Sequence, residues 1–161
     1  LSSRRQRQMC IRDRPVTLGK SEVLTDGEDG VIVCFGSLLE NCLQAARRLE
    51  EESGLKIGVV NARFAKPIDD ALLKTLIEEK PFVVTVEEGN LMGGFGTAVL
   101  EAANTMGLST ENIHRLGLPD AFVEHGERGE LLADLGLDVD GIAKRCQELA
   151  ETRVTRTTTK V

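Results

Sequence analysis

The residues with the clearest chemical potential lie in one stretch, 82–96, FVVTVEEGNLMGGFG. Two carboxylates, Glu87 and Glu88, end an apolar and β-branched run, and Gly89, Gly93, Gly94 and Gly96 lead into a small-residue segment. Backbone N–H groups at such a glycine-rich helix entrance can hold an anion. The spacing, however, is neither the dinucleotide GxGxxG nor a P-loop ending in Gly-Lys-Ser/Thr. Two carboxylates directly before the turn would also repel a phosphate, so close packing of helix on sheet is the favoured role for these glycines. A strand that continues through Glu87 and Glu88 sends them to opposite faces. They then do not converge as a general acid/base pair. One is expected to close hydrogen bonds at the strand end or to meet a partner chain, and the other to be solvated. No further Asp or Asn set completes a Mg²⁺ site beside them.

Four other sets of side chains have types that could carry chemistry. Arg63 follows a strand, where open α/β sheets place ligands, and its guanidinium suits bidentate capture of a phosphate. An ordinary surface ion pair is the competing reading, and position alone does not decide between them. His125, between Glu124 and Gly126, reads as a solvated or hydrogen-bonded loop histidine rather than a catalytic base. His114 starts a strand and has no special claim. The four cysteines, Cys10, Cys34, Cys42 and Cys146, show no metal-ligand spacing. They read as reduced, packed thiols of a cytoplasmic protein. Neither a serine nucleophile elbow nor a Cys/His pair is present, and no reaction follows from these residues alone.

The elements that position these groups alternate along the chain. Strands are expected at Gly19–Leu24, Val31–Phe35, Lys56–Ala62, Phe82–Val86 and Ile113–Leu118, the inner ones as apolar runs buried on both faces. The polar turn TDGEDG at 25–30 fits an antiparallel hairpin between the first two. A helix opening at Ser37, with Glu40 completing a capping box, carries an apolar stripe to Gly54. Asp69 or Asp70 caps a second helix reaching about Glu79. A third helix runs from about Gly96 to Gly107, and two more span about Glu127–Leu135 and Val139–Ala150, with Asp138 capping the last. Strand and helix in alternation imply an α/β three-layer α/β/α sandwich around a mostly parallel sheet.

At 161 residues this is one domain with room for a real core. It spans residues 15–150, followed by a polar tail at 151–161. Residues 1–14, rich in arginine and without an apolar period, read as a basic arm or targeting peptide, or as foreign read-through sequence; the second reading is preferred. With a net charge of −6 and neither Trp nor Tyr, the chain offers no general polyanion surface or stacking platform, which argues against nucleic acid as a partner. No run approaches a membrane span.

Three motifs in order carry a family resemblance: Arg63-Phe64-x-Lys66-Pro67-Ile68-Asp69; Val86-Glu87-Glu88-Gly89 with Gly93-Gly94-Phe95-Gly96; and Leu118-Pro119-Asp120 with Glu124-His125-Gly126. Together they resemble the C-terminal domain of the 1-deoxy-D-xylulose-5-phosphate synthase family, within the thiamine-diphosphate transketolase superfamily, from about Pro15 to Ala150. The resemblance implies a sheet of about five strands, one of them antiparallel at the edge, and a homodimer. It implies a transferase that joins pyruvate to glyceraldehyde 3-phosphate with release of CO₂, on the route to isoprenoids and thiamine. It matches Arg63 to an arginine that helps hold the substrate phosphate. Glu87, Glu88, Gly93, Gly94, Gly96 and His125 carry over as structural or interface candidates, with no catalytic or metal-binding residue. The family's ligands for thiamine diphosphate and Mg²⁺ belong to two preceding domains, so this chain is expected to bind neither alone and to be inactive by itself. A transketolase, a 2-oxo acid dehydrogenase beta subunit, or a free-standing anion-binding or dimerisation module are the competing readings.

Overall fold

The computed structural model describes residues 16–123 and 125–158; the basic segment 1–14 and the last residues of the tail lie outside them. Five strands, β1 (Glu22–Thr25), β2 (Gly30–Phe35), β3 (Ile57–Asn61), β4 (Val83–Asn90) and β5 (Ile113–Leu118), form one sheet in the order β1-β3-β2-β4-β5. All neighbours are parallel except β1, which runs antiparallel to β3. The helices are α1 (Leu39–Ser53), α2 (Asp70–Glu79), α3 (Phe95–Thr105), α4 (Arg128–Asp134) and α5 (Val139–Thr158).

The period-2 alternation of the central strands builds two cores. Ile32, Cys34, Val59, Val84 and Val86 point to one face and pack against Leu38, Cys42, Leu49, Leu132, Ile142 and Cys146 from the α1, α4 and α5 side. Val31, Val33, Val60 and Val83 point to the other and meet Leu73, Leu76 and Ile77 of α2 and Val99 and Ala103 of α3. This is the expected three-layer sandwich, with one antiparallel edge strand.

Three local expectations are corrected. The TDGEDG turn does not close a hairpin: β1 pairs with β3, placing Val23 opposite Val60, and β3 separates it from β2. The turn instead passes the start of β3, where Asp29 N–H donates to Lys56 O at 3.0 Å and Lys56 N–H to Asp29 Oδ2 at 2.8 Å. The mostly exposed β1 suits an edge, whereas β2 is buried nearly throughout and needs a neighbour on each side. The Ser37/Glu40 capping box does not form. Leu38 precedes the helix without a side-chain cap bond, Glu40 accepts from Gln44, and Ser37 Oγ donates to the carboxylate of Glu88. An ionised acceptor offers the stronger bond. Finally, α5 runs on through Thr158 rather than ending at Ala150. No Gly or Pro follows Gly141, and Gln147 to Glu151 and Thr152 to Glu148 bonds sustain the added turns.

Other signals are realised as read. Asp69 Oδ1 accepts Leu72 N–H at the start of α2, Asp138 Oδ1 accepts Gly141 N–H at 2.8 Å, and Gly54 ends α1 in the left-handed conformation at φ 72°.

Candidate functional site

Because β2 leads to β3 on one side while β4 leads to β5 on the other, the strand order switches between β2 and β4. A crevice opens outside their carboxyl ends, the position at which open α/β sheets bind ligands. It is a depression of about 280 Å³ lined by Phe35, Gly36, Ser37, Glu87, Glu88 and Gly89.

Glu87 and Glu88 do leave β4 on opposite faces. Glu87, 3% exposed, turns toward α3 and accepts Phe95 N–H at 2.7 Å on Oε2 and Gly96 N–H at 2.8 Å on Oε1. It is the carboxylate that closes hydrogen bonds at the strand end. Glu88 turns toward α4, where Arg128 Nε donates to Oε1 at 2.9 Å and Nη2 to Oε2 at 2.6 Å. Arg128 Nη2 also reaches Ser37 Oγ at 3.4 Å. Glu88 is thus clamped rather than solvated, which corrects the expectation for the second carboxylate. The Arg128 guanidinium, then the Ser37 hydroxyl, hold its carboxyl at about 2, well below the usual 4.5.

The glycines of the turn have distinct roles. A Cβ on Gly94 would lie 2.3 Å from Glu87 Oε2 and 2.1 Å from Asn90 O. One on Gly96 would lie 2.7 Å from Thr85 Oγ1 and 2.8 Å from Arg115 Cδ, whereas Gly93, at φ +76°, faces open space. Close packing of helix on sheet is therefore realised at Gly94 and Gly96, and Gly93 supplies the left-handed turn.

Arg63 sits past the end of β3, on the far side of β2 from Glu88. Its backbone is left-handed at φ 59°, uncommon for a residue with a Cβ, and Asn61 Oδ1 accepts its N–H at 3.1 Å. Its Nη2 pairs with Glu22 Oε2 at 2.5 Å, with side-chain exposures of 28% and 35%. The guanidinium therefore has an internal partner and remains partly accessible. His125 is exposed on the loop between β5 and α4 and bonds to no other described residue. His114 is half-buried on β5, and burial, then Arg145, lowers its pKa.

The structure gathers Ser37, Glu88 and Arg128 at the switch point and leaves Arg63 with Glu22 at the opposite side of the sheet. The parts played by Ser37, Arg128 and Asn61 were not legible in the sequence. Asn61 alone leaves a local signal, since Asn side chains bond the backbone two residues on. Among the described residues no group of three His, Cys, Asp or Glu side chains could hold a metal. The glycine-rich entrance of α3 is already filled by Glu87. These residues do not fit a diphosphate with its divalent cation.

Comparison with known proteins agrees with the motifs. The family model described as transketolase, C-terminal domain, matches residues 19–142. The 1-deoxy-D-xylulose-5-phosphate synthase of Rhodopirellula baltica is 48% identical over 136 residues, covering 84% of this chain and 21% of the relative. That of Synechococcus sp. (strain JA-2-3B'a(2-13)) is 49% identical over 140 residues, covering 87% and 21%. The chain thus spans about a fifth of the length of these curated relatives. Among solved structures, a split-gene transketolase described as an inactive beta4 tetramer superimposes with a TM-score of 0.76 at 31% identity, over 86% of this chain and 45% of that one. The transketolase from Leishmania mexicana, at 21% identity and a TM-score of 0.59 over 83% of this chain and 18% of that one, shares the fold. The motif resemblance to the synthase C-terminal domain therefore holds, and the chain belongs to the transketolase C-terminal domain family.

Proposed function

We propose that this chain is the C-terminal part of a 1-deoxy-D-xylulose-5-phosphate synthase, the transferase that converts pyruvate and glyceraldehyde 3-phosphate to 1-deoxy-D-xylulose 5-phosphate and CO₂. The observation that carries the reading is the 48% identity to a synthase across 136 residues. In this reading the domain contributes contacts within a cytoplasmic homodimer and part of the phosphate site, and thiamine diphosphate and Mg²⁺ are held by the rest of the enzyme. The cofactor supplies the carbanion chemistry, so the chain by itself is inactive. A relative of this fold described as an inactive beta4 tetramer supports that last point by analogy. A transketolase or a 2-oxo acid dehydrogenase beta subunit is less favoured, because relatives at 48% and 49% identity are synthases, whereas the transketolase structures are only 31% and 21% identical.

Arg63 is assigned to the phosphate of glyceraldehyde 3-phosphate. Its partial exposure and its place at a strand's carboxyl end support the assignment, with Glu22 as the counter-ion that the phosphate replaces. The test is a chimera in which this chain replaces the C-terminal fifth of the Rhodopirellula baltica synthase. Turnover by the chimera and none by the 161-residue chain alone is the expected result. A folded but inactive chimera counts against the synthase assignment, and turnover by the chain alone overturns the inactivity. In the chimera, Arg63→Ala raises KM for glyceraldehyde 3-phosphate by about tenfold or more, as loss of a charge-assisted bond implies. An unchanged KM removes Arg63 from the site.

A further inference from the structure

Among the described residues, Arg63 is the one non-glycine residue with a positive φ. The turn around it is closed by Phe64 N–H on Ala62 O at 2.6 Å, a three-residue turn that is rare and strained when its central φ is positive. A conformation disfavoured roughly tenfold for a residue with a Cβ persists only where its surroundings over-determine it, and such residues cluster at functional sites. Here the turn is pinned from three sides. Asn61 Oδ1 accepts Arg63 N–H at 3.1 Å, Ala62 N–H donates to Cys34 O at the end of β2 at 2.8 Å, and Ser21 Oγ donates to Ala62 O at 3.2 Å. Ser21 stands just before β1, and its own N–H is held by Asp69 Oδ2 at 3.1 Å. The next residue, Glu22, lies opposite Asn61 in the sheet register and takes Arg63 Nη2. The segment entering the edge strand therefore holds Arg63 twice, at its backbone through Ser21 and at its guanidinium through Glu22.

We propose that Ser21 and Asn61 are positioning residues for Arg63, jointly holding its left-handed backbone and so aiming the guanidinium at the substrate phosphate. This rests on the assignment of Arg63 to that phosphate. On a turn able to relax, the guanidinium would stand ready in only part of the molecules, and apparent affinity falls by that fraction. The two residues act from different segments. Asn61 fixes the Arg63 N–H from within the same stretch of chain, whereas Ser21 ties the turn to the segment that carries Glu22. When phosphate draws the guanidinium away from Glu22, the Asn61 and Ser21 bonds do not involve the guanidinium and keep the backbone set.

Kinetics of the chimera test this with Asn61→Ala, Ser21→Ala and each of them combined with Arg63→Ala. Each single variant is expected to raise KM for glyceraldehyde 3-phosphate about threefold or more, with kcat and KM for pyruvate changed far less. Ser21→Thr, which keeps the hydroxyl, restores the lower KM. In the Arg63→Ala background neither substitution raises KM further, because the side chain they aim is gone. If Arg63→Ala raises KM while Asn61→Ala and Ser21→Ala do not, or if the effects simply add, the positioning role is overturned and the Arg63 assignment stands. An unchanged KM in Arg63→Ala instead withdraws the assignment and this proposal with it. Hydrogen exchange in the 161-residue chain decides the same point without turnover. Ser21→Ala, which leaves the Asn61 acceptor in place, is expected to speed exchange of the Arg63 amide about threefold or more relative to amides of β2. Unchanged protection of that amide overturns the joint hold.

Discussion

Arg128 grips Glu88 through two nitrogens, Nε to Oε1 at 2.9 Å and Nη2 to Oε2 at 2.6 Å, and so ties the first turn of α4 to the end of β4. The clamp bridges 40 positions of sequence and lies across the crevice between β2 and β4.

This clamp has a pH signature. Arg128, then Ser37, depress the Glu88 carboxyl from 4.5 to about 2 in the folded chain. Its contribution to stability is therefore complete above the unfolded value and is lost as pH falls from about 4.5 through about 2. Urea unfolding followed between pH 5 and pH 2 should show a shallower decline in Arg128→Ala than in wild type. Asp26 and Glu28 are depressed too, by Lys80 and Lys56, so the difference between the two proteins is the diagnostic quantity. Identical slopes would dismiss the clamp as a stabilising contact.

Two adjacent glycines should respond very differently to alanine. Gly94→Ala drives a Cβ to within 2.3 Å of Glu87 Oε2 and 2.1 Å of Asn90 O, a clash that costs about 3 kcal/mol or more. Gly93→Ala meets no atom within 4 Å but must hold φ +76°, which costs about 1–2 kcal/mol. Chemical denaturation of the two variants measures the contrast, and equal losses would contradict the carboxylate-centred turn.

Asp69 joins three segments through a side chain only 7% exposed. It accepts Lys20 Nζ at 2.9 Å, Ser21 N–H at 3.1 Å and Leu72 N–H at 3.4 Å. Burial by itself raises its pKa, and Lys20, Ser21 and Leu72 together outweigh it, so the net shift is downward. Asp69→Ala is expected to cost about 1–2 kcal/mol as a lost helix cap. The amides of Ser21 and Leu72 should lose hydrogen-exchange protection ahead of those in β2, and a uniform loss would argue against this local role. Since the folded pKa is lowered, the benefit of Asp69 fades as pH falls below its usual 3.8.

Cys34, Cys42 and Cys146 are fully buried in one core. Burial pushes the Cys146 thiol up to about 12, and the neighbouring Cys34 thiol, then burial, raises that of Cys42. The thiolate is the reactive form. In a Cys10→Ser background, a chromogenic disulfide reagent at pH 8 should therefore label no thiol until denaturant unfolds the chain, and then three. Rapid native labelling would disprove the packing.

How far the sequence determined this protein can be followed residue by residue. The apolar runs at Val31–Phe35 and Phe82–Val86 could be satisfied only by burial on both faces, so they announced a layered α/β fold. Gly54, Asp69 and Asp138 marked helix ends because capping is decided within about four residues of chain. The opposite facing of Glu87 and Glu88 followed from strand geometry alone. The partners of those two carboxylates did not, because each is decided by which segment docks beside the strand end. Glu87 is met by Phe95 and Gly96 only because α3 packs on one face. Glu88 draws Ser37 out of its local capping pattern only because α4 brings Arg128 to the other. The pairing of β1 with β3 and of Arg63 with Glu22 has the same origin. Hydrophobic periodicity is a local property and can be read along the chain. A polar side chain's partner is chosen by charge and geometry across tens of residues, and the tertiary structure alone decides it.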